Sequence, residues 1–186
     1  MENQSYEIEL KSLLSKEQFD RLCSELPGQM KLTNQESLNT IKFVLPEGGD
    51  IRLRHSNKTF EMVHKDGSAT NLSRKENTIN LNGKDDITNL IKLFNNLNFK
   101  QDPSWITHKK EFQHSFNGFN YSICLQHIEK FAYLLEVEFM SKSNDPQKHE
   151  QNIREVIKNL GCEPISNQEF KEKIKKYIED NKEKDL

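Results

Sequence analysis

The sequence predicts an α+β fold with about eight mostly antiparallel β-strands and with helices at three places along the chain. The first observation is that several short segments, such as residues 6–11, alternate charged and apolar residues. That alternation is typical of a strand whose two faces differ. The second is that short turns, such as residues 46–50, separate these segments. The third is that three regions carry apolar residues at helical spacing.

Composition excludes several classes of protein. The chain has 186 residues, enough for a buried core, and we treat residues 1–186 as a single domain. Its net charge of −2 provides no basic field for nucleic acid, and no apolar run approaches the roughly 20 residues of a membrane span. The three cysteines are odd in number and widely spaced, which predicts reduced thiols and a cytoplasmic protein.

Strands are predicted where charged and apolar residues alternate between turns. The first strand reaches about Leu14, and its partner near the other end of the chain repeats its Glu-x-Glu pattern. Residues 51–55 and 59–65 form a hairpin, and Gly118 lies in the turn of a longer one. The predicted strands cover residues 6–14, pieces of 29–45, 51–55, 59–65, 72–81, 105–116, 121–128 and 134–140.

Helices are predicted from caps and apolar stripes. Ser15 and Gln18 form a capping box, and Pro27 ends the helix that follows. A second helix opens at Asp85. Two more, at about 147–160 and 167–182, make up a helical region at about 145–183. The apolar stripe of the last helix has two interpretations, a cap on one end of the sheet structure or the contact of a homodimer.

Charged residues share one face on many of these strands. Glu7, Glu9 and Lys11 lie on one face of the first strand, and Glu136 and Glu138 on one face of the last. A sandwich would expose such faces to water, whereas a closed barrel would gather them around a polar lumen. If the sheet curls round, the two Glu-x-Glu strands close one divalent-metal site.

The same residues carry a resemblance to a known family. The chain resembles the CYTH family, the triphosphate tunnel metalloenzymes, over about residues 5–140. The N-terminal Glu-x-Glu-x-Lys signature of that family is matched in full. The other matching motifs follow in the family's order: Arg52-x-Arg54, the strand-end Lys65, Arg74-Lys75-Glu76 and Glu136-Val137-Glu138.

The resemblance implies a closed antiparallel eight-stranded barrel, with flanking helices, whose tunnel holds a triphosphate-containing small molecule. It implies Mg²⁺ or Mn²⁺ as the cofactor, and catalytic roles for Glu7, Glu9 and Lys11. The phosphate ligands implied are Lys11, Arg52, Arg54, Lys65, Arg74 and Lys109. The metal ligands implied are Glu7, Glu9, Glu76, Glu136 and Glu138. This chemistry is consistent, because guanidinium groups bind phosphate oxygens in a fork and Mg²⁺ favours carboxylates.

The chain also departs from the family pattern. Gln126 stands where an aspartate is expected, and an amide supplies neither a negative charge nor a base. Thr78 replaces the second glutamate of Arg-x-Glu-x-Glu, and Ala132 replaces a glycine. Three functions therefore stay open. The first is a metal-dependent phosphohydrolase that acts on tripolyphosphate, a nucleoside triphosphate or thiamine triphosphate. The second is a class IV adenylate cyclase, and the third is a non-catalytic polyanion binder.

Overall fold

The computed structural model describes residues 5–67, 72–142 and 146–181. The predicted helical region at 145–183 therefore lies partly outside the described residues. The strands are β1 (Ser5–Leu14), β2 (Lys31–Val44), β3 (Asp50–His55), β4 (Phe60–Lys65), β5 (Ser73–Asn80), β6 (Lys100–Gln101), β7 (Trp105–Phe116), β8 (Phe119–Ile128) and β9 (Ala132–Ser141). The helices are α1 (Lys16–Glu25), α2 (Lys84–Asn96), α3 (Pro146–Asn159) and α4 (Asn167–Asn181).

Eight of these strands close into an antiparallel barrel, which confirms the predicted fold. Their order is β3-β4-β5-β1-β9-β8-β7-β2, and pairing of β2 with β3 closes the ring. β6 is an additional two-residue strand beside β2. β2 is one continuous strand, where the sequence predicts separate pieces, because β7 pairs with its first part and β3 with its second.

The barrel turns its apolar residues outward, where helices cover them. One core contains Ile8, Tyr121 and Val137 from the barrel wall, packed with Ile153 and Ile157 of α3. A second core joins β2 and β3 to α2. Because side chains alternate along each strand, burying this outer face directs the charged residues into the lumen.

The predicted helix boundaries are largely confirmed. Ser15 and Gln18 form the reciprocal hydrogen bonds of a capping box at the start of α1. Gly161 follows α3 with a φ of 71°, as expected for a residue that stops a helix. Cys23, Cys124 and Cys162 are free thiols. Over the described ranges, no helix has the length and apolarity that crossing a membrane requires.

The turn between β2 and β3 depends on glycine and packs against the end of β4. Gly48 and Gly49 both have positive φ values, 94° and 88°. A Cβ on Gly49 would lie 2.5 Å from the carbonyl oxygen of Lys65, whereas one on Gly48 would have nothing within 4 Å. Gly49 therefore permits a close approach of the two strands. β3 begins at Asp50, directly opposite Lys65, the last residue of β4.

We expect Gly49→Ala to lower the free energy of unfolding by at least about 2 kcal/mol and Gly48→Ala by about 1 kcal/mol. Both variants carry the cost of positive φ, but only Gly49→Ala adds the clash with the Lys65 carbonyl. Urea unfolding followed by circular dichroism measures both. Equal losses in the two variants would show that the close approach does not matter.

Candidate functional site

The lumen holds a charged cavity of about 300 Å³, at the small end of the range for ligand sites. Every residue that the sequence predicts for the site lines it. Seven basic and seven acidic side chains contribute to the wall, so opposite charges are balanced in number. The basic ones are Lys11, Lys42, Arg52, Arg54, Lys65, Arg74 and Lys109, and the acidic ones are Glu7, Glu9, Glu76, Asp102, Glu111, Glu136 and Glu138.

Three carboxylates converge on one point of this wall. Glu7 and Glu9 come from β1, and Glu138 lies directly opposite Glu9 on the neighbouring β9. Each of the three residues has one carboxylate oxygen that lies within 4.8 Å of an oxygen of both others. Glu7 and Glu9 are buried, with 7% and 8% of their surface exposed. The donor set is entirely oxygen, which suits Mg²⁺ and Mn²⁺.

Two of these three carboxylates, Glu7 and Glu138, have raised pKa values because their charges are poorly compensated. Burial, with the neighbouring Glu7, Glu136 and Glu9, raises the pKa of Glu138 to about 8. Burial and the adjacent Glu9 also raise the pKa of Glu7. Burial opposes ionisation of Glu9 too, but Lys11, Lys65 and Arg74 more than offset it and lower the pKa of Glu9. A divalent cation among the three would offset the remaining repulsion.

Lys65 and Arg74 form ion pairs with these carboxylates. The Lys65 ammonium is 2.5 Å from Glu7 and 2.7 Å from Glu76. Glu76, a predicted metal ligand, is therefore bound to Lys65 and lies outside the group of three carboxylates. Nη2 of Arg74 is 3.0 Å from Glu9. Nε and Nη1 of this buried guanidinium make no hydrogen bond among the described residues, and Nη1 lies 4.0 Å from Asp50.

Glu136 is held on the other side of the three carboxylates. The Lys11 ammonium lies 2.6 Å from Glu9 and 3.3 Å from Glu136. The side-chain amide of Gln126 donates a hydrogen bond to the second oxygen of Glu136. Both Glu136 oxygens thus have partners within the protein. The structure places this predicted metal ligand beside the group formed by Glu7, Glu9 and Glu138 and not within it.

The remaining predicted phosphate ligands line the wall formed by β3 and β7. Arg54 is 3.3 Å from Glu61, and Lys109 is 2.7 Å from Glu111. Arg52 is 2.6 Å from Asp50, and burial is more than offset by this carboxylate, so the pKa of Arg52 is raised. Each cation is thus paired with an acidic side chain that a bound anion would have to displace or join.

Sequence reasoning missed three charged residues of this region. Lys42 lines the cavity and forms an ion pair with Asp102 at 2.8 Å. Asp50 forms an ion pair with Arg52 at 2.6 Å. Lys42 and Asp50 were detectable, because each continues an alternation, Thr40-x-Lys42 on β2 and Asp50-x-Arg52 on β3. Asp102 lies between β6 and β7, so no strand pattern marks it.

One end of the cavity is apolar. α4 lies across this end, and its predicted apolar stripe forms part of the cavity wall, as the capping interpretation predicts. Phe131, after β8, contacts the rings of two α4 residues, Phe170 and Tyr177, with centroid distances of 6.2 and 5.2 Å. The residues of this apolar end are Trp105, Ile128, Phe131, Leu134, Phe170, Ile174, Tyr177 and Ile178.

We expect Glu138→Gln to stabilise the metal-free protein at pH 8 by at least about 1 kcal/mol. The pKa of Glu138 is about 8 in the folded protein against 4.5 for an ordinary glutamate. The folded state therefore binds more protons than the unfolded state between these values, and Glu138 costs stability as the pH rises through that window. The gain should shrink towards pH 5.

Urea unfolding in EDTA across pH 5–8 measures this difference. Glu163→Gln on the exposed surface is the control and should change little at any pH. A Glu138→Gln variant that is less stable than the natural protein at pH 8 would contradict the inferred repulsion.

Comparison with known proteins supports the fold. No protein-family model matches the sequence, and no curated protein matches it either. Solved structures similar to it include the PH1012 protein of Pyrococcus horikoshii (22% identity, TM-score 0.64, 83% of this chain and 90% of that chain), the PH1819 protein of the same organism (17%, 0.69, 87% and 93%), and a candidate adenylate cyclase from Vibrio parahaemolyticus (13%, 0.64, 85% and 90%).

Identities this low establish the fold and leave the activity to the site itself. The likeness extends over most of each chain, so it includes the closed barrel and more than a local motif. The chain therefore has the closed antiparallel barrel that its sequence predicts, and it shares this fold with these solved structures.

Proposed function

We propose that this protein is a divalent-metal-dependent phosphohydrolase that binds a triphosphate in the barrel lumen. One observation supports this most strongly. Glu7, Glu9 and Glu138 converge beside Arg74, whose guanidinium lies 3.0 Å from Glu9. A group of carboxylates short of positive charge thus shares one lumen with seven basic side chains. A metal ion and a phosphate chain bound together would satisfy both.

The basic side chains suit a chain of several phosphates. Seven ammonium and guanidinium groups surround one small cavity, and each phosphate oxygen accepts charge-assisted hydrogen bonds. Arg74 on β5, Arg54 on β3 and Lys109 on β7 line this cavity from different strands, and each arginine can bind a phosphate through a fork of two N–H donors. Because each of these groups already has a carboxylate partner, the lumen is preorganised and little side-chain order must be gained on binding.

Glu7, Glu9 and Glu138 would hold Mg²⁺ or Mn²⁺. A metal ion bound there supplies Lewis-acid polarisation of a phosphoryl oxygen and a more acidic water. Lys11 contacts both Glu9 and Glu136, so it fixes their oxygens and can direct its remaining hydrogens at a phosphate. Gln126 fixes the other oxygen of Glu136.

A class IV adenylate cyclase is the second candidate. It would use the same triphosphate contacts but turn a ribose hydroxyl onto the α-phosphate. The apolar end of the cavity favours this candidate, because a nucleoside needs a wall of that kind. One solved structure with this fold is a candidate adenylate cyclase.

Gln126 favours the third candidate, a non-catalytic binder of polyphosphate or nucleotide. Its amide occupies the position of an expected carboxylate, so one acidic group is missing from the lumen. A binder would hold triphosphates tightly and release no product.

We expect orthophosphate release from tripolyphosphate, ATP or thiamine triphosphate with Mg²⁺ or Mn²⁺, and we expect EDTA to stop it. Glu9→Gln should lower kcat by at least about a hundredfold, because a ligand of the proposed metal is lost. Anion-exchange chromatography resolves the products. Cyclic AMP with pyrophosphate would instead establish the cyclase, and tight binding without products would establish the binder. The exposed Glu163→Gln variant should keep full activity.

Arg54→Ala should mainly weaken triphosphate binding, by about 1.5–3 kcal/mol, or roughly tenfold to a hundredfold in Kd. Arg54 belongs to β3 and lines the cavity, and among the described residues it forms an ion pair with Glu61. Isothermal titration calorimetry measures the affinity, with Arg154→Ala on the exposed face of α3 as the matched control. Undiminished affinity in Arg54→Ala would contradict the assignment of this wall to phosphate.

A further inference from the structure

Three hydrogen-bonded side chains lie on the outer face of the barrel. Leu38 and Thr107 line the lumen, so their strand neighbours Ser37 and His108 point outward. His108 of β7 stands directly opposite Ser37 of β2, and its Nδ1 atom lies 2.7 Å from the Ser37 hydroxyl. Its Nε2 atom lies 2.9 Å from a carboxylate oxygen of Glu129, which follows β8. A hydroxyl, an imidazole and a carboxylate are thus linked in that order.

The carboxylate fixes which nitrogen of the imidazole carries the proton. A carboxylate only accepts hydrogen bonds, so Nε2 of His108, which faces Glu129, is the protonated nitrogen of the neutral ring. Nδ1 then has a lone pair and accepts the hydrogen of the Ser37 hydroxyl. A serine becomes a nucleophile when a base accepts its proton and a third group orients that base. The directions of both hydrogen bonds meet this requirement.

The ring of His108 is also held by a stack. His127, the residue opposite it on β8, stacks on it with a centroid distance of 5.5 Å, and Tyr133 stacks on His127 at 4.6 Å. Two hydrogen bonds and a stack therefore orient the ring before any substrate arrives. The side chains of His108 and Glu129 nevertheless keep 45% and 41% of their surface exposed, so a small substrate can reach them.

A polar cavity of about 220 Å³ adjoins these residues. Its wall includes Glu129, together with Asn39 and Ile106, which form the next pair on the same outer face. That pair lies about 7 Å along the strands from the hydroxyl and the imidazole. The side-chain oxygen of Asn39 is buried and has no hydrogen-bond partner among the described residues. A network that only joined neighbouring strands would need neither a cavity nor an unsatisfied acceptor beside it.

We propose that Ser37, His108 and Glu129 form a second catalytic site, which hydrolyses small polar esters bound in this cavity. A polar ester with a hydroxyl or amide group suits the wall, because the Asn39 oxygen needs a donor. Lys130 also lines the cavity, and its ammonium can offset negative charge on the ester carbonyl oxygen. This site lies outside the lumen and does not depend on the function proposed there.

The reaction has two steps. Oγ of Ser37 attacks the carbonyl carbon and passes its proton to Nδ1 of His108, which gives that proton to the leaving alcohol as the ester C–O bond breaks. An acyl group then remains on Ser37. Water attacks this group and gives a proton to His108, and the carboxylic acid leaves as Ser37 regains its hydrogen. Glu129 acts through the imidazole and is a positioning residue.

The test uses p-nitrophenyl acetate and a fluorophosphonate probe, which forms a stable adduct with an activated serine. We expect hydrolysis of the ester and an adduct that peptide mass spectrometry locates on Ser37. Ser115 is the internal comparison, because it is an exposed serine of β7 whose hydroxyl donates to Asn120 and not to a histidine. Ser115 should react with the probe at least about a hundredfold more slowly than Ser37.

Variants separate an activated serine from a structural hydrogen bond. Ser37→Ala and His108→Gln should each lower hydrolysis at least about tenfold, and His108→Gln should lower labelling of Ser37 at least about a hundredfold. Glu129→Gln should lower labelling at least about tenfold, whereas Glu129→Asp should restore part of the rate. His114→Gln, which changes another histidine of β7, is the matched control and should change neither reaction. Circular dichroism checks that each variant is folded.

Equal labelling of Ser37 and Ser115, or undiminished labelling of Ser37 in His108→Gln, would overturn the inference. Labelling of Ser37 without hydrolysis of the ester would equally rule out the proposed hydrolase activity.

Discussion

Compensation of charge inside a closed barrel is the constraint on which this structure depends. Burying an unpaired charge is costly, and fourteen charged side chains share one cavity, so each needs an opposite neighbour. The pairing is nearly complete and fails around Glu138. Burial and the excess of negative charge near it raise the pKa of Glu138 to about 8. A bound cation would offset that excess, and the proposal of a metal ion and a phosphate chain in the lumen rests on this imbalance.

Strand order turns two distant motifs into one site. β1 lies between β5 and β9, so the first strand of the chain contacts the last strand of the barrel on one side and Arg74 on the other. Antiparallel register then sets Glu9 opposite Glu138 and Lys11 opposite Glu136. This arrangement depends on the outer face, because the helices bury the apolar residues of the same strands and a one-residue slip would turn the glutamates into that core.

Alternation of residue types explains how much could be predicted. It located seven of the eight barrel strands as single elements and the inward direction of Glu7 and Arg52, because a period of two fixes the face of every residue on a strand. The alternation could not place Asp102, which lies in the connection between β6 and β7. It also could not show that β2 is continuous, because the first part of β2 carries polar residues on both faces. The separation of Glu76 from the three carboxylates depends on its ion pair with Lys65, the residue opposite it on the neighbouring strand β4, and the pattern within one strand does not encode that pairing. The roles of all these side chains in binding and catalysis stay predictions.

Gln126 has a physical explanation in the same balance of charge. It donates to Glu136, within a lumen where Glu136 already helps to raise the pKa of Glu138 and of the buried Cys124 thiol. An aspartate at this position would add another negative charge to that region and would exchange a donor for a second acceptor facing Glu136. The amide therefore relieves repulsion in the ligand-free barrel at the expense of one anionic group near the ligand. Functional sites more often lose stability in favour of function. Gln126 shows the opposite compromise, which indicates that this lumen needs less negative charge than its motifs alone imply.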